Sequence, residues 1–559
     1  MCGIAGWTTG PGAAPDEGAL AAMVEALAHR NADGEGVCAA IDRSARREVV
    51  LAASLTDEAS RISLALDGSI LNSAVLRSQL SRRGYSFSGT SDAEVLLRAY
   101  QHWDKDVVKQ LRGGFAFAVW DARKERLMLA RDRFGQKPLY LHEAGTALYF
   151  ASELKALLKV PGLRTDVDLG AVSDYLTLRY VPGPRTLVAG VRKLSPGTYA
   201  LWQFGRLREI TYWSPPDKET HSGKAPLQPV EGFIEKLDEA VKLHMDSDRP
   251  VGAFLSGGYD SAAIVALMKR HSERVETFSA GFAEDPHSEL AAAAQAAKHF
   301  GTRHHEIVLA QRELLARLPE LVASRDAPFS RPADVALHLL AVQAARNVKV
   351  ALSGDGGDEI LAGYRRHTML RSFPHGHRKV NGLFVIPIEN RTQIETPTRA
   401  SPLRRILYYE QVSWLPDNLL ERSDRMTMAA SLELRTPFLD HPVAEYVSGL
   451  PDALRVRGLT TKWILRQAHR RLVPDGALKA RKAGLRISLA NMLRGEMRDL
   501  LLDHLRGPGC VTRAYYDAPT LDRLLDEHLA VRRNHEELLW TLLNLEIWHR
   551  THLANARRG

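Results

Sequence analysis

Cysteine is scarce in this chain of 559 residues, which carries only Cys2, Cys38 and Cys510. Cysteines so few and so far apart exclude a disulfide framework and a cysteine-based metal site. Long apolar runs are lacking as well, since no stretch reaches the ~18 consecutive apolar residues that a membrane span needs. The first residues also lack a basic segment followed by an apolar one, so we expect a cytoplasmic protein without a membrane partner.

Concentrated basic charge is missing too. The net charge is +9, but the arginines and lysines are scattered, and no basic tail is interleaved with aromatic residues. We therefore expect no nucleic-acid partner. A hydrophobic content of 45% and a charged content of 25% are typical of a globular protein. The length predicts about two to four domains.

A strand, a loop of small residues and a helix follow one another at residues 251–268. The apolar residues 251–254 precede Ser256-Gly257-Gly258-Tyr259-Asp260-Ser261, and another apolar run follows at 262–268. The N–H groups of such a loop and of the helix N-terminus face one point, which makes an anion site. Asp260 fits beside an anion only if a divalent cation lies there too. The loop lacks the lysine of a Walker sequence, and an ordinary glycine-rich turn is the alternative.

A second loop of this kind follows residues 348–352, a predicted strand of four apolar residues and one lysine. It reads Ser353-Gly354-Asp355-Gly356-Gly357-Asp358-Glu359. Alternating strands and helices between the two loops predict a parallel sheet, which binds ligands at the carboxyl ends of its strands. Two acidic, glycine-rich loops at that edge are suited to hold the phosphates of a nucleotide together with Mg²⁺. The alternative for the second loop is a helix N-terminus with acidic residues on its dipole.

The beginning of the chain offers a candidate nucleophile. Removal of the initiator methionine would leave Cys2 first, where its α-amino group, with a pKa of ~7.7–8.0, can accept the thiol proton. An inert cysteine in a buried strand is the alternative. Downstream, the sequence predicts helices and strands that together indicate a layered α+β domain. The helices are at 17–28 and 91–101, and the strands at 114–121, 126–132, 134–140 and 148–153.

Several segments carry a family resemblance. Residues 1–7, 115–121 and 130–140 resemble the glutaminase domain of glutamine-dependent asparagine synthetases. The two acidic loops, with residues 417–440, 462–466 and 480–484, resemble the synthetase half of that family and the wider ATP pyrophosphatase group. The resemblance implies an α+β N-terminal-nucleophile-type sandwich domain, followed by an α/β parallel-sheet ATP pyrophosphatase domain with a helical C-terminal part. We place these domains at 2–213 and 230–559, joined by a polar, turn-rich linker at 214–229.

The resemblance also implies roles for particular residues. Cys2 would release ammonia from glutamine, Asp355 would lie near the incoming amine, and Lys482 would neutralise charge on the adenylate and pyrophosphate. Asp260 and Asp358 would bind Mg²⁺. The pyrophosphate part of ATP would be held by Ser256, Gly257, Gly258, Asp260 and Ser261. The AMP part would be held by Ser353, Gly354 and the backbone around Phe254 and Ala280.

The glutaminase half departs from the family pattern. Asp67-Gly68-Ser69 stands where the family has Asn-Gly-Glu, and a carboxylate in place of an amide donor would repel a tetrahedral oxyanion. Loss of one such donor typically costs ~10²–10³ in rate. Residues 50–55 offer no arginine to clamp the glutamine α-carboxylate, whereas Asp92 is retained to hold the amino group. We therefore predict weak or absent glutaminase activity.

The acceptor side departs as well. Residues 326–333 read Asp-Ala-Pro-Phe-Ser-Arg-Pro-Ala where asparagine-forming relatives commonly read Asp-Glu-Pro-Phe, and Ser288-Glu289 replaces Asp-Glu. We therefore expect a carboxylate other than aspartate, in a small molecule or a peptide, to be joined to ammonia or an amine. The β-lactam synthetases and lasso-peptide cyclases of specialised metabolism carry out such reactions. An ordinary glutamine-hydrolysing asparagine synthetase and a non-catalytic scaffold are the alternatives, and a homodimer is one possible assembly.

Overall fold

Alternating side chains build the strands of the N-terminal half. The computed structural model describes residues 3–8, 17–30, 38–42, 49–53, 55–218, 226–282, 288–310, 316–329, 331–369, 394–397, 399–473 and 489–553. The N-terminal strands in this part of the chain are β1 (Ala5–Thr8), β2 (Cys38–Asp42), β3 (Val49–Ala53), β4 (Leu55–Asp57), β5 (Ile62–Gly68), β6 (Phe115–Asp121), β7 (Arg126–Arg131), β8 (Tyr140–Ala144), β9 (Ala147–Ala151), β10 (Val191–Lys193), β11 (Thr198–Gln203) and β12 (Arg206–Thr211).

These strands form two antiparallel sheets that pack face to face. One sheet has the order β10-β8-β9-β1-β3-β2 and the other the order β12-β11-β7-β6-β5-β4. Every residue of β6 is buried, because Ala116, Ala118 and Trp120 face the other sheet while its phenylalanines face helices. The flanking helices are α1 (Glu17–Glu25), α2 (Ser73–Ser81), α3 (Asp92–Trp103), α4 (Val107–Gln110), α5 (Leu154–Leu157) and α6 (Leu169–Leu178). The predicted α+β sandwich is confirmed.

A parallel sheet organises the second half. Its strands are β13 (Val251–Phe254), β14 (Glu276–Phe282), β15 (Arg303–Leu309), β16 (Val350–Leu352) and β17 (Glu433–Arg435). Their order is β15-β14-β13-β16-β17, and each neighbouring pair is parallel. Parallel strands need crossover connections, which helices supply here. The predicted parallel sheet is confirmed.

Helices cover this sheet and form the C-terminal part. Those up to the second acidic loop are α7 (Pro229–Met245), α8 (Tyr259–His271), α9 (Leu290–Phe300), α10 (Leu318–Arg325), α11 (Ala333–Ala344) and α12 (Gly357–Leu361). Next come α13 (Arg366–Met369), α14 (Pro402–Tyr409), the π-helix Glu410–Leu420, α15 (Glu421–Met428), α16 (His441–Gly449) and α17 (Trp463–Leu472). The last are α18 (Leu489–Arg494), α19 (Arg498–Leu505), α20 (Ala518–Leu529) and α21 (Glu536–His552). Within the described ranges, no helix is both long and apolar enough to cross a membrane.

One predicted strand is wrong. Of residues 134–140 only Tyr140 belongs to a strand, because the buried Asp132 carboxylate draws the preceding segment into a turn. This carboxylate accepts hydrogen bonds from the backbone N–H groups of Phe134, Gln136 and Lys137 at 2.9–3.1 Å. A side chain that caps three backbone donors competes directly with a strand ladder.

Helix α7 buries a histidine whose charge state affects folding. His244 is 2% exposed, its ring Nδ1 lies 2.7 Å from the carbonyl oxygen of Ala240, and burial lowers its pKa to about 4. Between the ordinary histidine pKa of about 6.5 and this value, the unfolded chain binds a proton that the folded chain excludes. Stability is therefore complete above about pH 6.5 and falls as the pH drops towards 4.

We expect His244→Asn to flatten this pH dependence, because asparagine cannot bind the proton. The wild type should lose about 3 kcal/mol more than the variant between pH 7 and pH 4. Calorimetric melting of both proteins across this range measures the difference. Equal pH slopes for the two proteins would show that His244 does not carry the effect.

Candidate active site

A cleft opens between β13 and β16, where the order of the strands in the parallel sheet reverses. From β13 the chain proceeds to β14 and β15 on one side, and β16 and β17 lie on the other side. Loops that follow two such adjacent strands diverge, which leaves a crevice at their carboxyl ends. The cleft has a volume of about 450 Å³. The predicted residues that line it are Phe254, Ser256, Gly258, Asp260, Ser261, Ala280, Ser353, Gly354, Asp355 and Asp358. Gly257 belongs to the same loop but is not among the lining residues.

Hydroxyl groups of the first loop form hydrogen bonds with the backbone of the same loop. The Ser261 hydroxyl oxygen accepts the backbone N–H of Ser256 at 3.0 Å, and the Ser256 hydroxyl oxygen accepts that of Gly258 at 3.2 Å. Helix α8 then begins with Gly258 as its N-cap residue, and no side chain caps it. The first N–H groups of the helix therefore remain available to an anion in the cleft.

Two carboxylates, one from each loop, converge on a single ammonium group. The Lys462 Nζ lies 2.5 Å from both carboxylate oxygens of Asp260 and 2.6 Å from Oδ1 of Asp358. Lys462 is 5% exposed. The positive charge of Lys462 lies between the Asp260 and Asp358 carboxylates and offsets their mutual repulsion.

Glycines make room for this convergence. A Cβ on Gly354 would lie 2.7 Å from the Cβ of Asp260, closer than real Cβ contacts. A Cβ on Gly363 would overlap both the Asp358 carboxylate and the Lys462 side chain. The two segments therefore carry glycine where the carboxylates and the ammonium group meet.

The donor set around Lys462 suits Mg²⁺ bound together with a nucleotide. Mg²⁺ is usually held by one or two carboxylates, with phosphates and water completing its six positions. Asp260 and Asp358 supply two carboxylates, and the described residues contain no group of three or more metal-binding side chains. The position of Lys462 marks where one cation contacts both carboxylates, so these residues fit the ion.

Asp355 is oriented by two serines. Its carboxylate Oδ2 accepts the hydroxyl of Ser423 at 2.8 Å, and its backbone N–H donates to the Ser353 hydroxyl oxygen at 3.2 Å. Nearby, burial and the Asp358 charge raise the pKa of Glu359 to about 8. The Tyr364 hydroxyl also donates a hydrogen bond to Glu359. Asp355 thus lies in the cleft with one carboxylate oxygen held by Ser423.

The residues predicted for a remnant glutamine pocket, Asp67, Gly68 and Asp92, lie in the N-terminal half. The Asp67 carboxylate is fully buried and its Oδ2 accepts hydrogen bonds from Arg30 Nη2 and the Ser152 hydroxyl, both at 2.9 Å. Gly68 has a φ of +103°, and a Cβ there would overlap the carbonyl oxygen of Gly114. The Asp92 Oδ2 accepts the backbone N–H of Ile70 at 2.8 Å, and burial raises the pKa of Asp92. Cys2 and Lys482 lie outside the described residues.

Arg30 connects Asp67 to the second half of the chain through ion pairs. Its Nη1 lies 2.9 Å from Glu153 Oε1 and 2.7 Å from Asp424 Oδ2, in addition to the contact with Asp67. Burial by itself would lower the pKa of Arg30, but Asp424, Asp67 and Glu153 outweigh it and hold that pKa above its ordinary value. Burial opposes ionisation of Asp424 too, yet Arg30 and Lys137 hold its pKa well below its usual range. Asp67 is therefore part of a buried ion cluster between the two halves.

Three features of the site were not predicted from the sequence. Lys462 was included in the family resemblance without a role, and neither the partners of Arg30 nor the contact between Ser423 and Asp355 was anticipated. Arg30 and Asp424 are 394 positions apart, and Lys462 and Asp260 are 202 apart. A sequence pattern spans neighbouring residues, so it does not predict contacts between residues so far apart in the chain. A lysine at the start of an amphipathic helix is usually a surface residue.

Comparison with known proteins gives a consistent result for both halves. The family model described as asparagine synthase matches residues 232–550, and the one described as glutamine amidotransferase domain matches residues 1–213. Asparagine synthetase [glutamine-hydrolyzing] 1 of Bacillus subtilis is 32% identical over 86% of this chain and 84% of its own. A putative asparagine synthetase of Mycobacterium bovis is 34% identical over 98% of this chain and 97% of its own. Amidase chyE of Penicillium rubens is 26% identical over 75% of this chain and 76% of its own.

Replacement of Arg30 by methionine should destabilise the protein strongly. The substitution removes the cation that Asp67, Glu153 and Asp424 share. Arg425 still pairs with Glu153 and Lys137 with Asp424, but Asp67 keeps no ion-pair partner among the described residues, which typically costs about 3–5 kcal/mol. Denaturant unfolding measures the loss, and the exposed Arg303→Met is the matched control. Adding Asp67→Asn to the Arg30→Met variant removes the stranded charge and should restore part of the loss. A cost no larger than that of the control would contradict the role given to Arg30.

Proposed function

Because the chain belongs to the asparagine synthase family, and is thus an ATP-dependent carbon–nitrogen ligase that forms AMP and pyrophosphate, we propose how its cleft performs this reaction. The cleft activates a carboxylate as its acyl-adenylate, and ammonia or an amine then displaces AMP. The observation that carries this proposal is the convergence of Asp260 and Asp358, from two adjacent strand-end loops, on one cation position.

In this proposal, the two loops bind different parts of the nucleotide. The free N–H groups at the start of α8, with Ser256 and Ser261, bind the pyrophosphate part. Ser353, Gly354 and the backbone around Phe254 and Ala280 bind the AMP part. Asp260 and Asp358 hold Mg²⁺, which neutralises phosphate charge when bound. Lys462 must then move away from one or both carboxylates, and Lys482 is proposed as a second cation for the adenylate and pyrophosphate.

Asp355 is proposed to receive the nitrogen nucleophile. Its position in the cleft, with Ser423 holding one carboxylate oxygen, leaves the other oxygen to orient an amine and accept its proton. The adenylating domain is proposed to span residues 230–559, after a linker at 214–229. Cys2, in the glutaminase-like domain proposed at 2–213, is the residue that would attack glutamine.

We further propose that glutamine hydrolysis is weak. An oxyanion hole needs donors aimed at the developing negative charge. The Asp67 carboxylate is an acceptor, and it is already bound by Arg30 and Ser152 in a buried ion cluster. Free ammonia or an amine would then be the working nitrogen source, and a carboxylate other than aspartate would place the enzyme in specialised metabolism.

The second candidate is an ordinary glutamine-hydrolysing asparagine synthetase that makes asparagine from aspartate. The Bacillus subtilis and Mycobacterium bovis relatives favour it, because both are named as glutamine-hydrolysing asparagine synthetases, the second as a putative one, and they match most of this chain at 32% and 34% identity. In this case Cys2 would be active and Asp67 would be tolerated. The nitrogen source separates the two candidates.

Asp260→Asn and Asp358→Asn should each abolish ATP–pyrophosphate exchange, by at least about a hundredfold, because each removes one of two charges that hold the cation. Chelation of Mg²⁺ should abolish exchange in the wild type, and added Mg²⁺ should restore it. The matched control is Asp503→Asn, whose side chain is 66% exposed and pairs with Arg550 on the surface. Exchange at wild-type rates in either cleft variant would refute the metal assignment.

Ammonia should support product formation at least about tenfold better than glutamine, because the oxyanion hole lacks a donor. Cys2→Ala should leave the ammonia-dependent rate unchanged, and Asp67→Asn should raise glutamine hydrolysis. Product and glutamate release, measured with each nitrogen source and with aspartate among the acids, decide between the candidates. Efficient glutamine-dependent turnover of aspartate, lost in Cys2→Ala, would establish the second candidate instead.

A further inference from the structure

Helix α15 belongs to the second half of the chain but is bound by ion pairs to the N-terminal half. Three of its charged side chains have buried partners there: Glu421 pairs with Lys193 at 2.7 Å, Asp424 with Lys137 at 2.8 Å, and Arg425 with Glu153 at 2.8 Å. Arg30 adds a second cation to Asp424 at 2.7 Å. A buried charge cannot move away from its partner without a large loss of electrostatic energy. The position of α15 therefore depends on the N-terminal half.

The same helix contacts the cleft through Ser423. The Ser423 side chain is buried and its hydroxyl donates to Asp355 Oδ2 at 2.8 Å, while its backbone carbonyl accepts the Thr427 hydroxyl at 2.8 Å. Ser423 directly precedes Asp424, and successive side chains of an α-helix point about 100° apart, so the two side chains reach different neighbours. Any shift of α15 at Asp424 is therefore transmitted to Ser423.

The hydrogen bond between Ser423 and Asp355 tolerates little movement, because a displacement of about 1 Å takes an O–H···O contact out of hydrogen-bonding range. Contacts within the second half also hold the helix, since α15 packs against α11 and Arg422 Nη1 lies 3.4 Å from Asp334 Oδ1. The ion pairs with the N-terminal half are shorter, at 2.7–2.8 Å, and come from residues on both sides of Ser423 in the sequence. We therefore expect them to set where Ser423 lies.

We infer that the N-terminal half positions Asp355 for the nitrogen nucleophile through α15, with Lys137 and Ser423 as positioning residues. The inference rests on the role proposed for Asp355. It does not involve Cys2, so it applies equally when free ammonia or an amine is the nitrogen source. The N-terminal half thereby gains a function in the attack on the acyl-adenylate that is independent of glutamine hydrolysis. Formation of the adenylate should not need it, because the residues proposed to bind ATP and Mg²⁺ belong to other elements.

Hydrogen–deuterium exchange of the full-length chain tests the inference without any substrate. Lys137→Met removes one cation from Asp424 and should raise amide exchange at residues 353–359 at least about threefold, because Asp355 loses its fixed partner. Arg112→Met is the matched control, since Arg112 also lies in the N-terminal half and pairs with Asp440 and Glu239, which lie in the second half outside α15. Unchanged amide exchange at 353–359 in Lys137→Met, or an equal rise in both variants, overturns the inference.

Kinetics with ammonium chloride as the nitrogen source separate the two chemical steps. With aspartate or glutamate as the acid, and ATP and ammonium saturating, Lys137→Met and Ser423→Ala should each lower kcat for product formation about 10- to 100-fold, because a small misplacement of a reacting group costs this much. Both variants should keep ATP–pyrophosphate exchange within about twofold of the wild type, because adenylation does not use Asp355. Ser423→Thr keeps the hydroxyl and should retain most of the rate.

A double variant shows whether Lys137 acts through Ser423. Product formation by Lys137→Met with Ser423→Ala should be no slower than by Ser423→Ala alone, since the second change removes the contact through which the first acts. Additive losses in the double variant, or an equal loss of ATP–pyrophosphate exchange, overturn the inference. Absence of ATP–pyrophosphate exchange in the wild type would refute the proposed adenylation instead, and amide exchange at residues 353–359 would still decide the inference.

Discussion

Repulsion between carboxylates that lie close together is the constraint on which this structure depends. Asp260 and Asp358 can lie together only because one cation contacts both, and the pKa of Glu359 is raised to about 8 beside them. Repulsion between carboxylates at such short range exceeds what hydrogen bonds with neutral groups compensate. The Lys462 ammonium meets this constraint in the free protein. In the proposed function, a divalent ion bound with a nucleotide would meet the same constraint, so cation binding and substrate binding would be coupled.

The same constraint acts between the two halves of the chain. Arg30 is completely buried and lies between Asp67, Glu153 and Asp424, so the N-terminal half contributes Arg30, together with Lys137, as cations for the second half's Asp424. A buried ion cluster of this kind adds little net stability, but losing one member leaves uncompensated charge. This cluster includes Asp67, which we predict from the sequence to stand in place of an oxyanion-hole asparagine. The ion pair of Asp67 with Arg30 supports the proposal that glutamine hydrolysis is weak.

Much of the fold could be predicted because each helix and strand depends largely on residues that are neighbours in the sequence. The apolar residues 251–254, the small residues of the loop and the apolar residues after Ser261 each have their own propensity, and they form β13, the loop and α8. The second loop was predicted on the same grounds, and both line one cleft. The strand predicted at 134–140 failed because Asp132 caps three backbone N–H groups, a competition that apolar alternation does not reveal. The roles of Cys2 and Lys482 stay predictions.

The sequence by itself determined the family, the two kinds of sheet and the two acidic loops that line the cleft. These follow from short segments, in which pattern and composition act between near neighbours. Only the tertiary structure decided that Lys462 lies between Asp260 and Asp358 and that Arg30 pairs with Asp424. The physical reason is that electrostatic partners are chosen by proximity and burial in space. Residues 202 or 394 positions apart come together only when the sheets and helices pack.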